Sequence, residues 1–294
     1  MANQRSTLPP PAPILAQRDI LGESPAWCPE EQALYWIDVR KPALYRLKPD
    51  TNTLDFWVMP SIIGSFALRK GGGVLVALAD RLAFFDPASR RLETAAPLPA
   101  GLRSNDGKCD RAGRFWVGTM RDDEQAPVGT LYRLDADRSL HTMASQMTVP
   151  NSLAWSPDNR TLYHADSPRR AIYAYDFDPA TGALGARRVF AKTEPPNGFP
   201  DGSTVDAEGC LWNAEYAGSR VVRYTPDGRI ERTIELPVSQ PTSCAFGGGS
   251  LDVLYVTTSR QRMSAEQIAR EPLAGGLFAF DLGIKGLPEP RFAG

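Results

Sequence analysis

Six polar residues recur at the same distance before a turn, and three of them could hold a metal ion. Each lies five residues before a short turn and carries a side-chain oxygen: Glu23, Ser65, Asn105, Asn151, Asp201 and Thr242. Glu23, Asn151 and Asp201 offer two carboxylates and an amide carbonyl, an all-oxygen set that suits a divalent cation such as Ca²⁺, Mg²⁺ or Mn²⁺. Oxygen ligands do not identify the cation, because Zn²⁺ and Fe²⁺ also accept carboxylates. The alternative is that these side chains only satisfy backbone groups of loops, as Asp and Asn often do.

Histidine and cysteine chemistry is restricted by composition. The chain has two histidines, His141 and His164, so a histidine-rich zinc site cannot form and a Ser-His-Asp triad has two candidates for its base. The simpler interpretation, without a catalytic role, is preferred for both. Four cysteines are scattered without a CxxC pair, so neither a zinc knuckle nor a dithiol redox motif is expected.

A repeated unit must position the six residues. Each turn is followed by an aliphatic and aromatic segment, in order LYWIDV, VLVALA, RFWVGT, TLYHAD, CLWNAE and VLYVTT. A second hairpin, punctuated by Gly, Pro, Asp and Asn, follows each segment. Four short antiparallel strands at a period of 40 to 50 residues are typical of a propeller blade. The sequence therefore predicts an all-β, six-bladed β-propeller, since a sandwich would not explain six similar units.

The predicted blades place the six polar residues around one axis. In a propeller, the innermost strand of each blade lies beside the central channel, and here that strand comes before each turn. We expect the residue just before the strand to lie at one mouth of the channel, so that all six converge there. One helix is expected around residues 263 to 271, in MSAEQIARE.

The remaining organisation follows from composition. Residues 1–18 are polar and proline-rich and are expected to form a flexible N-terminal tail, with a single propeller domain over residues 19–294. The formal net charge is −1, which does not favour a nucleic-acid partner. Apolar runs are strand-sized and no secretory signal is recognised, so we expect no membrane partner and a cytoplasmic protein with reduced thiols. A monomer or weak homo-oligomer is expected.

Several segments together resemble the family of gluconolactonases and regucalcin (senescence marker protein). The segments are LGESPAW at 21–27, RSNDGKCD at 103–110, GRFWVGTM at 113–120, VPNSLAWSPD at 149–158, FPDGSTVDAEGCLW at 199–212, PTSCAFGG at 241–248 and PLAGGLFAF at 272–280. The resemblance spans nearly all residues after about 18. It implies a six-bladed propeller, one divalent metal near the axis and hydrolysis of aldonolactones.

The resemblance also implies roles for individual residues. Glu23, Asn151 and Asp201 match the family's metal ligands, and Arg103 and Asn105 match its substrate-binding pair. Relatives carry an acidic residue after the GTM segment that reaches the substrate. The nearest match here is Asp123, whereas regucalcin-like proteins have glutamate, so this assignment is a departure from the pattern. The alternative for Arg103 is a surface salt bridge.

Together these features predict hydrolysis of a sugar aldonolactone to its aldonic acid. A divalent cation would polarise the lactone carbonyl, and Asp201 is the expected acceptor of a proton from water. Two alternatives stay open: a non-catalytic calcium-binding propeller, and a metal-dependent esterase or organophosphate hydrolase. Residues 120–129 form either a lid over the site or an ordinary polar loop.

Overall fold

Six antiparallel sheets, each formed by consecutive strands, make up most of the described chain. The structure is a computed structural model, and it describes residues 12–15 and 18–294. Five of the sheets have four strands and the sixth has three within these residues. The expected six-bladed β-propeller is therefore confirmed.

The strands are numbered in chain order. Blade 1 contains β1 (Gly22–Cys28), β2 (Ala33–Asp38), β3 (Ala43–Lys48) and β4 (Thr53–Val58). Blade 2 contains β5 (Ile63–Leu68), β6 (Val74–Leu78), β7 (Arg81–Asp86) and β8 (Arg91–Pro97). Blade 3 contains β9 (Arg103–Cys109), β10 (Phe115–Met120), β11 (Gly129–Leu134) and β12 (Leu140–Met147).

The second half repeats the pattern. Blade 4 contains β13 (Pro150–Trp155), β14 (Thr161–Asp166), β15 (Ala171–Phe177) and β16 (Leu184–Lys192). Blade 5 contains β17 (Phe199–Val205), β18 (Leu211–Tyr216), β19 (Arg220–Tyr224) and β20 (Ile230–Glu235). Blade 6 contains β21 (Pro241–Gly247), β22 (Val253–Thr258) and β23 (Phe278–Asp281). Short 3₁₀ turns cover Pro49–Thr51 and Ser167–Arg169.

Blade 6 departs from the expected four strands. After β23 the chain passes beneath the propeller instead of pairing along its edge: the Gly286 amide donates to the Leu251 carbonyl (2.7 Å) and the Ala207 amide to the Lys285 carbonyl (2.8 Å). Two prolines, Pro288 and Pro290, follow in this segment. Proline has no amide to donate to a strand ladder, which disfavours a fourth strand here.

The inner strands of the six blades close into a ring. Each of β1, β5, β9, β13, β17 and β21 packs against the inner strand of the next blade, and β21 packs against β1. An isolated antiparallel bridge between Leu21 and Ser259 reinforces this last junction, where the Arg260 amide donates to the Ile20 carbonyl (3.1 Å). The first and last blades are therefore joined by backbone as well as side-chain contacts.

The hydrophobic core lies between neighbouring blades. At the junction of blades 1 and 6, for example, the rings of Trp27 and Tyr255 stack with centroids 5.9 Å apart. At the junction of blades 3 and 4, Trp116 packs edge-on against Trp155. Full burial of a large apolar side chain contributes about 1.5–3 kcal/mol. The central channel is left to polar groups.

The structure also bears on the expected helix, the N-terminal tail and membrane-spanning segments. The helix α1 (Ala265–Arg270) is confirmed, and its N-terminus is capped reciprocally by Ser264 and Gln267. Part of the expected N-terminal tail contacts blade 6, because the Ile14 amide donates to the Leu277 carbonyl (2.8 Å). Residues 1–11, 16 and 17 of that tail lie outside the described residues. Across the part of the chain that is described, no helix is both long and apolar enough to span a membrane.

Candidate active site

All six polar residues predicted at the channel mouth lie near the start of an inner strand. We expected them just before the strand, and this detail is wrong: Glu23, Asn151 and Thr242 are second in their strands, and Ser65, Asn105 and Asp201 are third. The strands begin earlier because pairing with the second strand continues past these residues, as in the Gly22–Asp38 pair. They share one end of the channel.

A register shift accompanies these residues in every blade. In blade 1 the pairing passes from Glu23–Ile37 to Ala26–Tyr35, and in blade 4 from Asn151–Ala165 to Ala154–Tyr163. Blades 2, 3, 5 and 6 show corresponding shifts in their inner strands. A β-bulge bends the strand and redirects side chains, and bulges are frequent beside active sites.

The backbone following two candidate ligands has an unusual conformation. Ser24 has φ of 51° and Ser152 has φ of 64°, and each directly follows a candidate ligand, Glu23 or Asn151. Left-handed conformations are uncommon for residues other than glycine and cost free energy that the surrounding structure must offset. Because blades 1 and 4 face each other across the ring, the same local conformation directs Glu23 and Asn151 from opposite sides.

The two candidate carboxylate ligands interact electrostatically in a poorly solvated place. Burial, together with the charge of Asp106, raises the pKa of Glu23 from 4.5 to about 8. Burial also raises the pKa of Asp201 well above its ordinary value, with further contributions from Glu23, Asp106 and Glu124. Asp201 is 7% exposed. Carboxylates that repel each other away from water are stabilised by a proton or by a cation.

The side chain of Asn151 is held by two neighbouring groups. Its Oδ1 accepts from Nδ2 of Asn105 (2.9 Å), and its Nδ2 donates to Oγ of Ser167 (2.8 Å). The Ser167 hydroxyl in turn donates to the Pro200 carbonyl (2.7 Å) of blade 5. An amide oxygen has two lone pairs, so Asn151 Oδ1 keeps one available for a further partner.

Arg103 and Asn105 lie beside this amide. Arg103 Nη1 donates to Asn105 Oδ1 (2.8 Å) and to the Ser104 carbonyl (3.0 Å), while Nε pairs with Asp122 (2.6 Å). Arg103 is only 5% exposed, so the alternative of a surface salt bridge does not describe its guanidinium. Burial, and then the charge of Arg40, lowers the pKa of Arg103. Arg103, Asn105 and Asn151 therefore form one connected chain of hydrogen bonds.

Three acidic residues follow β10, namely Asp122, Asp123 and Glu124, and each has different neighbours. Asp123 is exposed and pairs with Arg121 on its own loop. Asp122 pairs with both Arg103 and Arg40, and hydrogen bonds from these guanidiniums, led by Arg40, lower the pKa of Asp122 to about 2. Glu124 contributes to the electrostatic field at Asp201. The structure brings Glu124, more than Asp123, close to the candidate ligands.

The loop between β10 and β11 crosses to other blades. Asp122 pairs with Arg40 of blade 1 (2.8 Å), and both carboxylate oxygens of Glu124 accept from Arg262 of blade 6 (2.9 and 3.0 Å). A loop of blade 3 is thereby attached to blades 1 and 6.

Sequence reasoning missed two acidic residues of the site. Asp106 accepts from the Leu153 amide (3.0 Å), and its charge acts on both Glu23 and Asp201. Its position inside RSNDGKCD, next to Asn105, was a signal that could have identified it. Glu124 follows Asp123 directly in the acidic run after GTM, but its approach to Asp201 depends on the path of the loop.

The arrangement fits a divalent cation with oxygen ligands. Glu23 and Asp201 supply poorly solvated carboxylates that interact with each other, and Asn151 Oδ1 supplies a lone pair. Within the described residues, no group of three or more His, Cys, Asp or Glu side chains is disposed to hold a metal. A cation held by Glu23, Asn151 and Asp201 would have open positions for water or substrate.

Known proteins resemble this chain over nearly its whole length. Residues 21–260 match the family described as SMP-30/Gluconolactonase/LRE-like region. A 6-deoxy-6-sulfogluconolactonase of Pseudomonas putida is 40% identical, covering 96% of this chain and 98% of the relative. An L-arabinolactonase of Azospirillum brasilense is 41% identical, covering 96% of each chain.

A solved structure agrees in both fold and sequence. It is that of a calcium-binding protein, regucalcin, from Agrobacterium tumefaciens, with a TM-score of 0.92 and 29% identity over 96% of this chain and 97% of that one. The propeller, the polar residues at its channel mouth and these matches lead to one conclusion: the chain belongs to the SMP-30/gluconolactonase/LRE-like family.

Proposed function

We propose that this protein hydrolyses a sugar aldonolactone to the aldonic acid, with one divalent cation held by Glu23, Asn151 and Asp201. Two observations support the proposal: Glu23 and Asp201 are poorly solvated carboxylates that interact with each other, and the Asn151 amide bonds both to Asn105, beside buried Arg103, and through Ser167 to the residue before Asp201. The names of the relatives support the substrate class, since two of them are sugar lactonases.

Each residue has a distinct part in this reaction. From positions already fixed by Asp122 and Asn151, Arg103 would donate hydrogen bonds to the sugar hydroxyls and Asn105 Oδ1 would accept one from a sugar hydroxyl. Asp201 would accept a proton on its carboxylate from the attacking water. When bound, a divalent cation supplies Lewis-acid polarisation of the lactone carbonyl. The proposed reaction needs no histidine: His164 is buried on β14, and His141 is bound to Ser139 at an exposed site.

The cysteines support the proposed cellular location. All four, Cys28, Cys109, Cys210 and Cys244, are buried and unpaired. Free thiols are typical of proteins in a reducing compartment. We therefore propose a cytoplasmic enzyme.

The test is a panel of sugar lactones and aryl esters offered to metal-stripped and metal-reconstituted protein. We expect lactone hydrolysis to disappear on stripping and to return to differing extents with Ca²⁺, Mn²⁺, Mg²⁺ or Zn²⁺. Glu23→Ala and Asp201→Ala should lower turnover by about 100-fold or more, and Asn151→Ala should impair it severely. Glu235→Ala, which removes an exposed carboxylate on the outer strand β20, is the control.

Three outcomes would contradict or redirect the proposal. Full lactonase activity after verified metal removal would contradict the role of the cation. Cation binding without hydrolysis of any substrate would favour a calcium-binding propeller, an alternative suggested by the description of the Agrobacterium relative as a calcium-binding protein. Faster turnover of aryl esters than of any lactone would favour an esterase.

A further inference from the structure

A lysine crosses the central channel below the candidate metal site. Lys108 lies on β9, two residues beyond Asp106. Its Nζ donates to the Ser203 carbonyl (2.8 Å) on β17 of blade 5. Because blade 4 separates blades 3 and 5 in the ring, a side chain that joins them extends across the channel. Lys108 therefore places a positive charge inside the channel.

The partner of this lysine comes from outside the blades. Nζ of Lys108 also pairs with Oε1 of Glu289 (3.2 Å), and these side chains are 18% and 14% exposed. Glu289 belongs to the C-terminal segment that passes beneath the propeller. The far end of this segment is fixed to blade 2, where the Phe292 amide donates to the Leu68 carbonyl (2.9 Å) and the Lys70 amide to the Phe292 carbonyl (2.9 Å).

Asp106 connects this ion pair to the candidate ligands. Its carboxylate interacts electrostatically with Lys108 and Glu289 on one side, and with Glu23 and Asp201 on the other. A cavity of about 30 Å³ adjoins the ion pair, and Ser24, Asp106, Lys108, Ser243 and Glu289 are among the residues that line it. Because the side chains of Lys108 and Glu289 are mostly buried, solvent screens their charges less than it would at the surface.

The balance of charge in the channel has a direct consequence for cation binding. Glu23 and Asp201 alone give the site a charge of −2, and Asp106 would make its surroundings more negative by one unit. Lys108 offsets that third charge. A more negative site attracts a cation more strongly, but the excess negative charge also lowers the ability of the bound cation to polarise a carbonyl.

We propose that Lys108, fixed by Glu289 of the C-terminal segment, is a positioning residue that offsets the charge of Asp106 and thereby sets the cation affinity of the Glu23–Asn151–Asp201 site. The inference rests on the proposed metal site. It concerns the neighbours of that site and assigns a function to the C-terminal segment, which contributes no blade strand.

The experiment measures Ca²⁺ affinity by calorimetric titration of the metal-stripped, full-length protein. Lys108→Met removes the positive charge and keeps most of the side chain, so we expect the Kd for Ca²⁺ to fall by about tenfold. Glu289→Gln removes the negative partner of Lys108, so we expect the Kd to rise, by a smaller factor because Glu289 is the more distant group. Lys108→Arg retains the charge and should bind Ca²⁺ much as the wild type does.

Opposite changes in affinity separate an electrostatic role from a structural one. A lysine that only supports the fold would weaken binding in both Lys108→Met and Glu289→Gln. Lys192→Met, on the outer strand β16, removes the same charge away from the channel and should leave the Kd unchanged. If Lys108→Met does not fold, a Kd that does not rise in folded Glu289→Gln overturns the proposal.

The same titrations distinguish this proposal from the proposed function. Suppose that the wild-type protein binds Ca²⁺ and hydrolyses lactones, but Lys108→Met binds Ca²⁺ with unchanged or lower affinity. This result contradicts the role of Lys108 and leaves the proposed function intact. Wild-type protein that binds no divalent cation contradicts the metal site, and the role of Lys108 with it.

Discussion

At the scale of single residues, the candidate site depends on charges that are kept close together with little solvent. Glu23 and Asp201 come from blades 1 and 5. The charge of Glu23 raises the pKa of Asp201, and the charge of Asp106 raises the pKa of both carboxyl groups. Arg103 forms an ion pair with Asp122, and the buried guanidinium of Arg103 also donates to Asn105. The site thus offers carboxylates for a cation and oriented donors for hydroxyl groups.

A prediction at this scale concerns Asp123 and Glu124. The resemblance points to Asp123 as the acidic residue that contacts the sugar, while the electrostatic contact with Asp201 belongs to Glu124. We expect Glu124→Ala to change the relative kcat/KM for different sugar lactones more than Asp123→Ala does. Loss of one hydrogen bond should cost about 0.5–1.5 kcal/mol for the lactone that makes it.

Kinetics with three lactones, alongside a cation titration, would measure this difference. The lactones are compared at saturating cation, because loss of the Glu124 charge near Asp201 should weaken cation binding, whereas Asp123→Ala should leave the cation affinity unchanged. A changed order of lactones in Asp123→Ala alone would support the assignment made by resemblance, whereas a uniform loss for every lactone would indicate a structural role.

At the scale of elements, the inner strands position the polar side chains of the site, and the loop after β10 joins blade 3 to two other blades. Each inner strand presents a polar side chain near its first residues, where a bulge redirects the chain, and the same local geometry occurs in all six blades. The loop after β10 is anchored to two other blades by its ion pairs with Arg40 and Arg262.

The loop prediction tests its attachment through Arg262. Arg262→Met should increase hydrogen exchange of the amides in residues 121–128 and raise KM, because the loop loses its contact with blade 6. The Tm should change little, since exposed ion pairs contribute about 0–1 kcal/mol. Arg229→Met, which removes an exposed pair with Asp227, is the matched control. Unaltered exchange in this loop would show that the pair does not hold it.

At the scale of the whole molecule, ring closure forces polar groups from all blades into one narrow channel. The interfaces between blades hold the apolar side chains, and the channel holds Glu23, Asp106, Asp201 and Lys108. Bringing these carboxylates together is unfavourable unless protons, Lys108 or a cation offset the charge. The stability of the metal-free protein should therefore depend on pH.

The expected direction follows from the pKa of Glu23. Its pKa is about 8 in the folded protein and 4.5 ordinarily, so between these values the folded state binds more protons than the unfolded chain. The free energy of unfolding must then fall as pH rises through this interval, and the raised pKa of Asp201 acts in the same direction. His164 acts oppositely below pH 6.5, because burial lowers its pKa from 6.5 to about 3.

The clearest window is therefore pH 6.5 to 8, where His164 is neutral in both states. In chelator, we expect the Tm of the wild type to fall across this window. Glu23→Gln should reduce the slope, and added cation should remove most of it. A Tm that is constant or rises with pH in the metal-free wild type would contradict the raised pKa of Glu23.

Much of the architecture follows from local pattern. The recurrence of a turn before each aliphatic segment predicts the second strand of every blade, because alternation and turn residues act over a few neighbours. The common offset of Glu23, Asn151 and Asp201 from those turns also indicates that they share one end of the channel. Both predictions rest on repetition, which a single chain displays without any knowledge of its contacts.

Other features depend on contacts between residues far apart in the chain. The loop path that brings Glu124 to Arg262 and directs Asp123 outward is decided by ion pairs with other blades. The C-terminal segment leaves blade 6 and places Glu289 on Lys108, 181 positions away in sequence. The blades are predictable because the same short-range pattern of turns and strands recurs in each of them. The loop and the C-terminal segment occur once, and their partners are brought close only when the ring is closed.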